Sequence, residues 1–142
     1  MKFLLDTDHL SILQRQSGPE YVALAARLAR QQPADLALSV VSLHEQVLGC
    51  HTYLSRARGS ADVVRGYAML WRVLQDFAAA PVLPFDAAAA AALDGLVAQR
   101  VRLAAMDLRI ASIALSRGLV VLTRNVRDFG RVPGLVTQDW TV

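Results

Sequence analysis

Lys2-Phe3-Leu4-Leu5-Asp6 is a short apolar run stopped by an acid. A run of this length reads as a strand buried on both faces. Lys2–Leu5 is therefore taken as the first strand, with Asp6 at its carboxyl end. Downstream, Thr7 or Asp8 can cap a short helix to about Gln16, and Gly18-Pro19 breaks it. Glu20–Gln32 carries the Leu/Ala spacing of a helix and is followed by Pro33, and Leu36–Val40 reads as a second strand. Ser42-Leu43-His44-Glu45 matches a capping box and opens a helix to about Ala57. Ala61–Ala79 continues in helix after Gly59-Ser60, and Pro81–Phe85 is a short extended piece. Asp86 caps an alanine-rich helix ending near Arg102, and Met106–Ser116 is a helix that Gly118 stops. Leu119–Leu122 is a third clear strand, and the tail Arg131–Val142 has room for one more after its Val-Pro-Gly-Leu turn. Strands alternating with helices predict an α/β fold: a three-layer sandwich with a central, mostly parallel sheet flanked by helices.

The 142 residues are expected to form one domain, enough to bury roughly 70% of the unfolded chain's surface. With 54% hydrophobic and 19% charged residues, the composition excludes a disordered chain. A single cysteine, Cys50, excludes an internal disulfide and a cysteine-rich zinc site, and it fits a reducing cytoplasm. Asp6 and Asp8 interrupt the first apolar run, which argues against a signal peptide. No stretch approaches the roughly 18 apolar residues of a membrane span; Ala87–Leu93 is too short and lies between Asp86 and Asp94. The net charge is +3, and Lys2 is the only lysine. Arginine grips phosphate with a bidentate fork, although a GC-rich genome would also favour it. Tyr67 and Trp71 stand one helical turn apart. They fit either core packing or a face for a second copy or another protein.

The acids are ten Asp and two Glu. In open parallel sheets, ligands bind beyond the carboxyl ends of the strands. Asp6 ends the first strand, Glu45 lies shortly past the second, and Asp128 follows the third by a short loop. Asp107 begins the helix leading into the third strand, so all four can face one edge. Gathering carboxylates is costly unless a cation neutralises them, and oxygen-only ligands suit Mg²⁺ or Mn²⁺. Such ions activate water and stabilise the leaving oxygen of a phosphodiester. Each acid also has a structural alternative: Asp8 as a helix cap, Glu45 as the capping-box acid, Asp107 as a first-turn acid, Asp128 as a salt-bridge partner of Arg124 or Arg127. Asn125 fits a ligand, a turn former or a supporting donor.

Leu4-Leu5-Asp6-Thr7-Asp8-His9-Leu10-Ser11 resembles the opening of PIN-domain toxins of the VapC type. Val41-Ser42-Leu43-His44-Glu45-Gln46 with Gly49 resembles their second acidic motif, and Asp107-Leu108-Arg109-Ile110-Ala111 their third. Leu122–Phe129, with Val132-Pro133-Gly134-Leu135 and Asp139-Trp140, resembles their closing segment. The resemblance implies a PIN-like fold and a Mg²⁺-dependent endoribonuclease, the toxin of a toxin–antitoxin pair. It implies a cognate antitoxin and a homodimer, while the lack of a long apolar run gives the expectation of no membrane association. It also implies site roles for Asp6, Glu45, Asp107 and Asp128, with Asp6 and Asp107 holding Mg²⁺ directly and Glu45 and Asp128 directly or through water. The fourth position stays open between Asp128 and Asn125. Leu103-Ala104-Ala105-Met106 departs from the glycine many relatives carry before the third acid. Thr7, Ser11 and Thr123 are expected to hydrogen-bond the carboxylates or water, and Arg124, Arg127 and Arg131 to contact RNA phosphates.

Two rival functions fit part of this pattern. Asp6-Thr7-Asp8 has the spacing of haloacid-dehalogenase-like phosphohydrolases, but those enzymes need a downstream lysine, and Lys2 is upstream. A binding module with an inactive site would repel RNA with its own acids. His44-Glu45 lacks the second histidine of a zinc motif, since Leu48 stands there.

Overall fold

The computed structural model describes residues 1–142. Five strands form one sheet: β1 (Phe3–Leu5), β2 (Leu36–Ser39), β3 (Val82–Leu83), β4 (Val120–Leu122) and β5 (Thr137–Gln138). Their order is β3-β2-β1-β4-β5, and every pairing is parallel. Seven helices connect them: α1 (Thr7–Arg15), α2 (Pro19–Leu28), α3 (Val40–Ser55), α4 (Ser60–Ala78), α5 (Ala87–Ala98), α6 (Ala105–Arg117) and α7 (Val126–Phe129).

The strand sequences explain the three layers. Successive side chains on a strand point to opposite faces. Leu4, Ala37, Leu83 and Val121 accordingly join the core under α5 and α6, with Ile110, Ala111, Ile113 and Ala114 of α6 completely buried. Leu5, Leu38 and Leu122 join a second core on the other face, with Leu10, Ile12 and Leu24 from α1 and α2 and Val73 and Phe77 from α4. A sheet covered on both faces needs apolar residues at every position, which is why these strands show no polar alternation.

Several element ends differ from the sequence expectations. The second helix stops at Leu28, and Pro33–Asp35 forms a separate 3-10 turn before β2. α3 begins three residues early, because Ser39 rather than Ser42 is its cap: the Ser39 hydroxyl accepts from the Ser42 backbone N–H at 3.1 Å. α1 is capped by Asp6, not by Thr7 or Asp8. α5 ends at Ala98 rather than near Arg102, and Arg100 turns the chain with φ +57°. Asp86 does cap α5, accepting from Ala89 N–H at 3.0 Å. α3 and α4 pack closely through Gly66, where a β-carbon would lie 2.7 Å from Leu54 Cγ. Tyr67 and Trp71 lie exposed with Val47 and Leu74 along an apolar groove that half-buried Leu43 also lines, not in the core.

Leu4 is fully buried and Val22 is 67% exposed. Leu4→Ala is expected to lower the unfolding free energy by about 2–5 kcal/mol, and Val22→Ala by no more than about 0.5 kcal/mol, in urea titrations followed by circular dichroism. Equal effects would contradict the two-faced core.

Candidate active site

The chain builds β2 and β3 on one side of β1, then returns to place β4 on the other. The order therefore reverses between β1 and β4, where open α/β sheets form their crevice. Asp6 and Thr123 are the residues that follow these two strands. The Asp6 N–H continues the ladder by donating to Leu122 C=O at 2.9 Å. The Thr123 hydroxyl lies 2.9 Å from Asp6 Oδ2 and 3.2 Å from Asp8 Oδ2, and it accepts from Asn125 N–H at 3.0 Å. Asp6 Oδ1 accepts from Thr7 N–H at 2.8 Å, so the same carboxylate caps α1.

Glu45 reaches this edge from the second turn of α3. Its Oε1 accepts from the Thr7 hydroxyl at 2.8 Å, and that hydroxyl also lies 2.9 Å from Ser42 Oγ. Glu45 is thus bonded across to α1 and is not closing a capping box. Asp107 lies in the first turn of α6, which has no side-chain cap at Ala104. Because α6 runs back against the strands, its start lies at their carboxyl edge. Asp128, in the first turn of α7, accepts from Asn125 Nδ2 at 3.1 Å and stands 3.6 Å from Arg131. Asn125 thereby supports Asp128, and the salt-bridge partner is Arg131 rather than Arg124 or Arg127.

Asp8, expected as a helix cap, is instead a member of the cluster. Its Oδ2 accepts from Arg124 N–H at 2.9 Å, and its Oδ1 pairs with His9 Nδ1 at 2.8 Å. His9 Nε2 accepts from Trp140 N–H at 3.2 Å, so the proton must sit on Nδ1 and be donated to Asp8. His9 is completely buried, with both ring nitrogens bonded. The signal for both residues is non-local: their partners lie more than a hundred residues away. Among the remaining predicted residues, Ser11 lines a cavity beside the acids, and the side chains of Arg124, Arg127 and Arg131 are exposed.

Burial raises the Asp6 carboxyl to about 7, the negative charges of Asp8 and Asp107 push the same way, and the bonds from Thr123 and Thr7 only partly oppose them. The Asp107 carboxyl is also raised, by burial first and then by Glu45, Asp128 and Asp8. Asp107 thus feels Glu45, Asp128 and Asp8, and Asp6 feels Asp8 and Asp107, so like charges gather at this edge. The donor set is carboxylate oxygen throughout, which fits a hard divalent cation. No three Asp, Glu, His or Cys side chains close on a single point. Lys2, at the amino end of β1, lies at the opposite edge from Asp6, which leaves the phosphohydrolase reading without its lysine.

No protein-family model matches the chain. The tRNA(fMet)-specific endonuclease VapC of Salmonella typhimurium is 31% identical to it over 144 residues, covering 99% of this chain and 98% of that protein. The protein of the same name from Shigella flexneri is 32% identical, with 99% of each covered. The solved structure of DNA-bound VapBC from Salmonella typhimurium superposes with a TM-score of 0.73 at 26% identity, covering 99% of this chain and 98% of that one. VapBC-1 from nontypeable Haemophilus influenzae matches the fold with a TM-score of 0.78 at 24% identity over the whole of both chains.

A carboxyl raised in the folded state stabilises the protein below its unfolded pKa, and that contribution is lost as pH rises through the folded value. In EDTA, Asp6→Asn, whose oxygen can still accept from Thr7 N–H while its NH2 donates to the Thr123 hydroxyl, is expected to melt several degrees above wild type at pH 8 and together with it below pH 4. A variant that melts lower at pH 8 would show that the Asp6 charge is already compensated.

Proposed function

The chain belongs to the VapC family, and on that premise we propose that it is a Mg²⁺- or Mn²⁺-dependent endoribonuclease, the toxin of a toxin–antitoxin pair, acting in the cytoplasm. The observation that carries this reading is the uncompensated carboxylate cluster at the β1–β4 crevice of a chain that matches these endonucleases from end to end.

Asp6 and Asp107 would hold the cation, with Glu45 and Asp128 bound directly or through its waters. The ion would supply a Lewis acid that activates water and neutralises charge on the phosphodiester. Thr123 and Thr7 fix both oxygens of Asp6 toward the site. Thr7 also holds one Glu45 oxygen, which leaves the other to orient the attacking water and take its proton. Asn125 orients Asp128, and Arg124, Arg127 and Arg131 lie at the rim for RNA phosphates. Hydrolysis by water, not by the ribose 2′-hydroxyl, leaves a 5′-phosphate and a 3′-hydroxyl.

The relatives superposed above are solved as VapBC assemblies. The exposed groove of Tyr67, Trp71 and Leu74 is correspondingly the surface we assign to a partner chain, antitoxin or second copy. No helix is long and apolar enough to cross a membrane.

With the antitoxin removed, the protein is expected to cut RNA in Mg²⁺ and not in EDTA; tRNA(fMet), for which the Salmonella typhimurium relative is specific, is the first substrate to try. Asp6→Asn should cut at least about 100-fold more slowly. Equal cleavage by the variant, or 2′,3′-cyclic phosphate ends, would overturn the mechanism.

A further inference from the structure

Beside the acids, α1, α3 and α4 enclose a cavity of about 790 Å³. Asp8 and Arg124 line it and also belong to the acidic site, so the two are continuous. Its floor is apolar, from buried Ile12, Cys50 and Val73. Its other arginines are Arg15 and Arg72, both exposed. None of the three arginines takes part in an ion pair. Arg72 donates only to the Gln14 carbonyl, at 2.8 Å. Guanidinium groups left without carboxylates beside a phosphodiesterase-like cluster are free for the phosphates of a polyanion.

Two glutamines complete the wall. Gln14 Nε2 donates to Asp76 Oδ2 at 2.9 Å and to Gln46 Oε1 at 2.9 Å, while Gln46 Nε2 donates to Gln14 Oε1 at 2.7 Å. The Asp76 carboxylate can only accept, so it forces the Gln14 nitrogen to face it, and the reciprocal pair then fixes the Gln46 amide. Both Gln14 protons are used. Gln46 keeps one N–H and one oxygen lone pair, in places that the amide cannot exchange by flipping. A donor and an acceptor held rigidly above an apolar floor, with phosphate-binding groups around them, match a nucleobase and its backbone.

We propose that this cavity binds the RNA nucleotide next to the scissile phosphate, with Gln46 reading its base edge and Arg15, Arg72 and Arg124 holding flanking phosphates. The inference rests on the endoribonuclease reading of the neighbouring acids. It makes Gln46 a specificity residue, held in place by Gln14 and Asp76.

The test uses the full-length, antitoxin-free protein and short single-stranded RNAs randomised at the positions flanking one cut. Binding is measured in EDTA and cleavage in Mg²⁺. Wild type is expected to favour particular bases at one flanking position, and Gln46→Leu to reduce that preference about fivefold or more, read as the ratio of kcat/KM between favoured and disfavoured sequences. Arg15→Ala, on an exposed side chain with no bonds to lose, should weaken binding alike for all sequences. It should also lower the log–log salt slope by roughly 0.7. Base preference in EDTA without cleavage in Mg²⁺ would remove the nuclease reading, and with it the scissile phosphate, and leave only a base-reading cavity. Cleavage by Gln46→Leu with unchanged preference would overturn this inference alone.

Discussion

A carboxylate buried among other carboxylates demands a counter-charge, and Asp6 is in that position. Its two hydrogen-bond donors, Thr7 N–H and the Thr123 hydroxyl, are neutral, while its charged neighbours Asp8 and Asp107 share its sign. Neutral donors hold the carboxylate in place but do not cancel its charge. Arg131, the one cation paired to the cluster, sits at the exposed Asp128 edge. A hydrated divalent ion is the natural way to satisfy such an arrangement, and it would also be the reagent that phosphodiester hydrolysis needs.

The fold concentrates charge there by topology. The β1–β4 pairing sets Asp6 beside Thr123, and the reversal of strand order opens the crevice above them. Distant segments then lock around that point. Thr7 and Ser42 tie α1 to α3 and with it fix Glu45. Buried His9 joins Asp8 to the backbone at Trp140, whose ring packs edge-on against Phe3 with centroids 4.7 Å apart. The site thus draws on the beginning, the middle and the end of the chain, and a tail residue with no reactive group bears on the orientation of an acid.

The parts visible in sequence were those encoded locally. Leu4-Leu5 and Val121-Leu122 announce doubly covered strands, and Asp6, Glu45, Asp107 and Asp128 are placed at one edge by the alternation of strands and helices. The misreadings came where neighbouring residues compete for one role. Ser39 and Ser42 can both cap α3, and Asp6 and Asp8 can both cap α1; only the tertiary partners of Ser42, Glu45 and Asp8 decide between them. Tyr67 and Trp71 show the spacing of a shared helix face, which does not reveal whether anything in the chain covers it. The Gln14–Gln46–Asp76 network joins residues 32 and 62 positions apart and leaves no local signature.

The central claim is that the charge around Asp6 is the seat of a divalent cation. Thermal unfolding of wild type and Asp6→Asn across a Mg²⁺ titration at constant ionic strength tests it without reference to any RNA. Wild type should gain stability with Mg²⁺, by about 2.7 kcal/mol at a concentration 100-fold above the dissociation constant, while Asp6→Asn stays flat. An equal gain in both proteins, or none in either, would contradict it.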